Sequence, residues 1–181
     1  LYRRPPDLVS AGLGSFRKRW LGEEISGRLK EGRLVPYATR ASIDAGALNG
    51  MGLELLWVDS AIDAFFLHIQ GSGRVILDTG ELVRVGFAGR NGQPYFAIGR
   101  DLVKRGIVSK ENISLQSIRS WLKKNPNQAV NLMQKNKSYV FFREVKSLNG
   151  KALNSTGPIG ASGVHLTPGR SLAVDRRYFS M

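Results

Sequence analysis

Apolar residues recur along this chain with two different spacings, which predict strands and helices. The run Phe65-Phe66-Leu67-His68-Ile69 is rich in aromatic and β-branched residues and predicts a strand. Two further β-rich runs, 74–77 and 82–87, flank a turn that contains Asp78 and Gly80, so they predict a β-hairpin. We expect this hairpin to pair with 65–69 in one antiparallel sheet.

Helical spacing is clearest over 115–124, where Leu115, Ile118 and Leu122 form an apolar stripe behind the capping residue Ser114. The remaining elements are predicted from shorter patterns, with less distinctive ends. Further helices are predicted over 40–49, 95–106 and 128–134, further strands over 53–58 and 138–142, and an irregular segment with at most short strands over 7–31.

A polar segment with two glycines, Gln70-Gly71-Ser72-Gly73, follows the predicted strand at 65–69. Glycine permits a positive φ and a close approach of the backbone to a ligand. The amide of Gln70 and the hydroxyl of Ser72 can hydrogen-bond a neutral partner that is rich in hydroxyl groups. The segment is therefore either a sugar-binding edge or an ordinary turn between strands, and the residues alone leave both interpretations open.

Composition limits the chemistry further. The 181 residues include no cysteine, which excludes disulfides and thiolate metal sites. The two histidines, His68 and His165, match no metal-ligand spacing, so we expect neither a metal nor a cofactor. No apolar run reaches the length of a membrane-spanning helix. The charged start of the chain has neither an initiator methionine nor the apolar core of a signal peptide, so we expect the chain to be part of a longer protein.

The formal net charge of +13 favours a polyanionic partner. Nucleic acid and a cell-wall polymer that carries carboxylates both fit this charge, and so does a merely solvated basic surface. The basic residues are scattered along the chain, with neither a dense basic tail nor an aromatic RNA-recognition motif. Charge alone therefore does not choose among these interpretations.

Several motifs, in the same order along the chain, resemble the membrane-bound lytic murein transglycosylase A (MltA) family. The first is Asp63-Ala64-Phe65-Phe66 followed by 69–73. The resemblance extends from Leu1 to Tyr178. The other matching motifs are Arg40-Ala41, Ala45-Gly46-Ala47-Leu48, Ala88-Gly89-Arg90-Asn91-Gly92 with Tyr95 and Ile98-Gly99, Ile118-Arg119 with Trp121, 138–142, and Ala173-Val174-Asp175-Arg176.

The resemblance implies a fold that is mainly β with some α. It implies an inserted, β-rich substrate-binding domain over 1–136, followed over 137–181 by the first part of a double-psi β-barrel. The implied activity is cleavage of the β-1,4 bond between N-acetylmuramic acid and N-acetylglucosamine in peptidoglycan. No water is consumed, and the products are 1,6-anhydromuropeptides. The implied catalytic acid is an aspartate that follows Met181, with Asp175 in a supporting role.

The resemblance also implies partners and a location. The substrate would be peptidoglycan glycan strands, with no nucleic acid partner and no cofactor. The parent protein would be a monomer, lipid-anchored at the periplasmic face of the outer membrane. Two alternatives from other functional classes are a glycan-binding module without activity and a basic nucleic-acid-binding protein.

The expected site combines the resemblance with the chemistry of each side chain. Gln70, Gly71, Ser72 and Gly73 are expected to line the substrate groove. Two interpretations stay open for each of three further residues. Tyr95 either stacks on a sugar ring or packs in the core, Arg40 either lines the groove or holds its helix by a salt bridge, and Asp63 either orients a group in the site or pairs with a backbone amide.

Overall fold

Two three-stranded antiparallel sheets organise the part of the chain that the computed structural model describes, residues 1–145, 166–167 and 169–170. Residues Leu1–Glu144 form one compact unit. The strands of the first sheet are β1 (Val9–Gly12), β2 (Glu24–Lys30) and β3 (Arg33–Val35), and those of the second are β4 (Gly73–Ile76), β5 (Leu82–Arg90) and β6 (Val140–Glu144).

Five α-helices accompany the sheets in the described residues, and three of them begin at a side-chain cap. Thr39, Ser60 and Ser114 each accept a hydrogen bond from a backbone N–H in the first turn of the helix that follows. The helices are α1 (Arg40–Asp44), α2 (Ala61–Gln70), α3 (Ile98–Lys104), α4 (Leu115–Lys124) and α5 (Pro126–Gln134). The fold therefore combines two β-sheets with several helices, in keeping with the expectation of β-sheets accompanied by some α.

The largest correction concerns 65–69, which lies within helix α2 and is not a strand. The apolar residues at 62, 65, 66 and 69 have the spacing of one helical face, and the aromatic content of the run concealed it. Ser60 Oγ accepts from the Asp63 N–H at 3.1 Å, and Gly71 ends the helix with φ 76°. These caps satisfy backbone groups at both ends, so the helical spacing prevails.

The predicted β-hairpin is confirmed, but its third strand is different. β4 pairs with β5, and β5 pairs on its other side with β6, which overlaps the strand predicted at 138–142. The pairing of the hairpin with 65–69 was therefore wrong.

Two of the shorter predicted elements also differ from the structure. The helix predicted over 40–49 ends at Asp44, because Gly46 has φ 97°. The strand predicted over 53–58 is reduced to one bridge between Glu54 and Tyr2.

Two clusters of buried side chains stabilise this unit, and α2 contributes to the first. That cluster packs α2 against the three helices that follow, and the second lies between the N-terminal segment and β6. The first consists of Phe65, Phe66, Ile98, Leu102, Leu122, Ala129, Leu132 and Met133, and the second of Leu8, Tyr37, Ile43, Leu48, Leu53, Tyr139 and Phe141.

The Asn91-Gly92 pair joins the two sheets directly after β5. Asn91 is fully buried, and its side chain donates to the carbonyls of Ala38 and Lys137 at 2.8 and 2.9 Å. Gly92 has φ 72°, and a Cβ at this position would lie 1.6 Å from the Ser26 carbonyl oxygen of β2. Only glycine permits this approach, so the turn predicted here also brings the sheets together.

None of the helices in the described residues is long and apolar enough to cross a lipid bilayer.

We expect Gly92→Ala to lower the free energy of unfolding by about 3 kcal/mol, because the new methyl group would collide with the Ser26 carbonyl in a left-handed conformation. Gly12→Ala is the matched control, since its φ is −74° and no atom lies within 4 Å of the added Cβ. Denaturant unfolding measures both variants. Equal stability of the two would contradict the proposed close approach.

Candidate functional site

The predicted substrate segment lies at the corner where α2 ends and β4 begins. The side chains of Gln70 and Ser72 are exposed there. Gly71 takes the left-handed conformation and donates from its N–H to the Leu67 carbonyl at 2.8 Å. The segment is therefore a helix end that leads into a strand, and it presents an exposed amide and an exposed hydroxyl two residues apart.

Phe87 adds an aromatic surface to this corner, and the sequence interpretation missed it. A Cβ on Gly71 would lie 3.9 Å from the Phe87 side chain, so the ring lies beside the glycine. Phe87 is 49% exposed although it belongs to strand β5. An aromatic residue inside a β-rich run usually indicates core, so no local signal marked it. The corner thus combines neutral hydrogen-bonding groups with an exposed ring.

Gly73 is the second glycine of the corner. A Cβ at this position would lie 2.5 Å from Leu67 Cδ1, on the helix that has just ended. A larger residue would therefore require the flexible end of the Leu67 side chain to move. Glycine at this position lets the Leu67 side chain pack against the start of β4.

Tyr95 lies on the loop between β5 and α3, with its side chain 61% exposed. The loop is held on both sides of this residue. Gln93 Nε2 donates to the Tyr37 carbonyl at 2.7 Å, and the Phe96 N–H donates to Asn136 Oδ1 at 3.0 Å. A ring on a tethered loop is already positioned for a flat apolar ligand face.

Two clefts open on either side of Tyr95. The larger, of about 600 Å³, is almost entirely apolar and includes Ile69 from the last turn of α2. The smaller, of about 270 Å³, is more polar and is lined by Glu24, Arg90 and Gln93 among others. Within the part of the chain that the structure describes, residues 70–73 line neither cleft, so the corner and Tyr95 are neighbouring surfaces connected through Ile69.

Arg40 contacts the buried side of α2 at His68, two residues before the corner, and is only 4% exposed. Its guanidinium donates to the carbonyls of Asn136 and Ser138 at 3.1 and 2.8 Å, and Nη1 lies 2.9 Å from His68 Nδ1. Arg40 therefore joins α1, α2 and the segment before β6. Because the guanidinium is buried and its three hydrogen-bond partners are neutral, Arg40 stabilises the packing of these elements against one another.

His68 is neutral at this position. A guanidinium only donates hydrogen bonds, so Nδ1 of His68 accepts and the ring proton lies on Nε2. Burial, and next the positive charge of Arg40, hold the pKa of His68 well below its usual range. The imidazole is packed against the rings of Tyr139 and Phe142, with centroids 4.2 and 5.3 Å away.

Asp63 lies at the opposite end of α2 from the corner, seven residues or about 10 Å before Gln70. Its carboxylate pairs with Arg119 of α4, and this hydrogen bond, with a second from Ser60, holds the pKa of Asp63 below its usual value. The guanidinium of Arg119 also lies 4.3 Å from the Phe66 ring centroid. Asp63 thus links two helices at the surface, away from the glycine segment.

Asp175 and a metal site are the remaining features that the sequence analysis considered. Asp175 lies outside the described residues. Among the residues that are described, no three His, Asp or Glu side chains form a group that could hold a metal ion.

The buried histidine predicts a pH dependence of stability. The folded-state pKa of His68 lies below its unfolded value of about 6.5, so only the unfolded chain gains a proton as the pH falls through 6.5. We expect the free energy of unfolding to fall by about 1 kcal/mol between pH 7.5 and 5.5. Denaturant unfolding at the two pH values measures this loss.

Two variants separate this effect from other groups. His68→Gln retains an acceptor for Arg40 but does not titrate, so this part of the pH dependence should disappear. His165→Gln removes the other histidine and should leave it unchanged. An unchanged pH dependence in His68→Gln would refute the assignment.

Comparisons with known proteins place this geometry in a family. A family model described as the MltA specific insert domain matches residues 1–143. Membrane-bound lytic murein transglycosylase A of Vibrio cholerae is 38% identical over 146 residues, which are 79% of this chain and 37% of the relative. The Escherichia coli K12 protein of the same name is 37% identical over 150 residues, 81% of this chain and 38% of the relative.

Solved structures agree with these relatives. The membrane-bound lytic murein transglycosylase from Agrobacterium tumefaciens superposes with a TM-score of 0.80 at 37% identity, over 97% of this chain and 47% of that one. E. coli MltA with bound chitohexaose gives a TM-score of 0.71 at 32% identity, over 98% of this chain and 43% of that one. The chain thus spans less than half the length of each of these relatives.

The family model covers well over half of the 181 residues, and two relatives above 30% identity match 79% and 81% of the chain. The chain therefore belongs to the MltA family and carries its specific insert domain.

Proposed function

We propose that this chain is the part of a peptidoglycan lytic transglycosylase that provides a glycan-binding surface. The observation that carries the proposal is the match to the MltA insert domain together with relatives named lytic murein transglycosylase A. The reaction would cleave the bond between N-acetylmuramic acid and N-acetylglucosamine and leave a 1,6-anhydromuramoyl end.

The corner of α2 and β4 supports a carbohydrate ligand chemically. Gln70 and Ser72 offer neutral donors and acceptors that match sugar hydroxyls and N-acetyl groups. Phe87 and Tyr95 offer exposed ring faces for the C–H faces of pyranose rings. A related structure was solved with chitohexaose, an oligomer of N-acetylglucosamine. We propose that the glycan strand runs across the corner toward Tyr95.

Other predicted residues would act at a distance from the sugar. Arg40 would position α2 from its buried side, and Asp63 would hold the start of α2 to α4 through Arg119. Gly71 would end α2, and Gly73 would let the Leu67 side chain pack against the start of β4. In this arrangement only exposed groups contact the substrate.

The catalytic acid would come from elsewhere in the parent protein. A general acid needs a raised pKa, but the two carboxyls with shifted pKa values in the described residues, Asp63 and Asp101, both shift down because cations hydrogen-bond them. We assign the acid to an aspartate that follows Met181, with Asp175 supporting it. One carboxyl group suffices, because the muramoyl 6-hydroxyl is an intramolecular nucleophile with a high effective molarity.

The domain division and the location are also proposals. We place the insert domain first and the start of a double-psi β-barrel after it. The expected junction was at residue 136, and the pairing of β6 (Val140–Glu144) with β5 supports a junction after Glu144 instead. The parent protein would be a monomer, lipid-anchored at the outer membrane and facing the periplasm, in keeping with relatives named membrane-bound.

Digestion of purified peptidoglycan tests the reaction. The natural protein that contains this chain should release 1,6-anhydromuropeptides, identified by mass spectrometry, and this polypeptide alone should bind glycan without releasing them. Products with ordinary reducing ends would contradict the reaction. Glycan binding by the natural protein without any product would favour a non-catalytic binding module.

Substitution of Tyr95 tests the binding surface. We expect Tyr95→Ala to weaken chitohexaose binding about five- to tenfold, because one aromatic contact is lost, and Tyr95→Phe to bind nearly as well as the wild type. Isothermal titration calorimetry measures the affinities. Trp57→Ala is the matched control, since Trp57 is 84% exposed and lies outside the proposed surface. Equal losses in Trp57→Ala and Tyr95→Ala would contradict a specific role of Tyr95.

A further inference from the structure

A second exposed surface lies on the connection between β1 and β2. Phe16 and Leu21 are 71% and 83% exposed, and Arg17, Lys18 and Arg19 lie between them in the sequence. We call residues Phe16–Leu21 the basic-apolar tip. Large apolar side chains this exposed, next to a cluster of cations, indicate a contact surface.

The tip is a folded loop. The Leu13 N–H donates to the Glu23 carbonyl at 2.9 Å, which closes the loop at its base. The Leu21 N–H donates to the Lys18 carbonyl at 3.0 Å, and a Cβ on Gly14 would lie 3.1 Å from Leu21 Cα. The backbone therefore holds Leu21 against the first turn of the loop while its side chain stays in solvent.

The charges of the tip are grouped around one aromatic ring. The guanidinium carbons of Arg17 and Arg19 lie 4.8 and 5.3 Å from the centroid of the Trp20 ring. Glu23 is the acidic residue within this loop, so three cations against one carboxylate leave a net charge of +2. The tip therefore combines a local positive charge with indole, phenyl and isobutyl side chains.

These groups distinguish between possible partners. A nucleic acid would benefit from the cations and from stacking on rings, but it offers nothing to Leu21, an exposed aliphatic side chain. A cell-wall glycan that carries carboxylates would use the three cations, but like a nucleic acid it offers no apolar phase to Leu21 and Phe16. An anionic bilayer satisfies both properties, because phosphate groups meet Arg and Lys at the depth where Phe, Trp and Leu reach the acyl boundary.

We propose that the basic-apolar tip docks on the surface of an anionic phospholipid bilayer. Phe16 and Leu21 enter the boundary between headgroups and acyl chains, and Arg17 to Arg19 contact the phosphates. A contact of this size is reversible and adds to any other membrane attachment of the natural protein. It uses residues outside the glycan-binding corner, so it is independent of the proposed enzymatic function.

Vesicle co-sedimentation of the natural protein that contains this chain, prepared without its proposed lipid anchor so that the anchor does not dominate partition, tests the proposal. We expect stronger partition onto phosphatidylglycerol/phosphatidylethanolamine vesicles than onto vesicles of phosphatidylcholine alone, and weaker partition at high salt. The triple variant Arg17→Gln/Lys18→Gln/Arg19→Gln should bind anionic vesicles about a hundredfold more weakly. Phe16→Ser/Leu21→Ser should lose at least about tenfold.

Matched controls separate the tip from general surface effects. Trp57→Ser/Ile76→Ser removes two other exposed apolar side chains, 84% and 73% exposed, and should leave partition unchanged. Circular dichroism melting should show all three variants folded like the wild type.

Two outcomes would overturn the proposal. If Phe16→Ser/Leu21→Ser keeps its partition while the triple charge variant loses binding to vesicles and to DNA alike, the tip is a polyanion site without membrane insertion. If Phe16→Ser/Leu21→Ser lowers the melting temperature of the natural protein and keeps its partition, the tip packs against protein. Neither outcome would change the peptidoglycan digestion result, so failure of this proposal can be distinguished from failure of the proposed function.

Discussion

The buried guanidinium of Arg40 is the constraint on which the rest of this unit depends. A charge at 4% exposure is costly unless it is hydrogen-bonded, and each of the three guanidinium nitrogens of Arg40 has a partner, two of them a carbonyl and the third the His68 ring. Its guanidinium also lies 4.8 and 5.2 Å from the ring centroids of Phe65 and Tyr139. The hydrogen bonds connect residues far apart in sequence, so α1, α2 and the segment before β6 are held in one arrangement.

That arrangement also determines which side chains at the end of α2 are exposed, at the corner that we propose binds glycan. The contact between His68 and Arg40 lies on the buried side of α2, and Ile69 and Gln70 lie on its exposed side. Gly71 then ends the helix, and Gly73 lets the Leu67 side chain pack against the start of β4. The polar side chains of the corner therefore rest on a rigid base, and ligand binding would cost little conformational entropy.

Two buried asparagines similarly fix the backbone of the loop that carries Tyr95. Asn91 Oδ1 accepts from the Tyr139 N–H at 2.8 Å, and Asn136 Oδ1 accepts from the Phe96 N–H at 3.0 Å. Each side chain replaces a regular backbone pairing where the chain leaves a strand or helix. Buried amides are thus used here to fix a loop, while the exposed aromatic on that loop stays free to meet a ligand.

Local sequence by itself determined those elements whose signals are local. The capped stripe of α4 and the turn of the β4–β5 hairpin follow from residues within a few positions of each other, and both are confirmed. The motifs that match in order along the chain, among them those around 63–73 and 88–99, also identified the family. The helix at 65–69 had local signals, its caps and the apolar spacing at 62, 65, 66 and 69, which the aromatic content of the run concealed. Tertiary structure decided the rest, because it depends on contacts between distant residues. It supplied β6 as the third strand, left Phe87 exposed beside Gly71, and buried Arg40, two of whose three hydrogen-bond partners lie almost a hundred residues away along the chain.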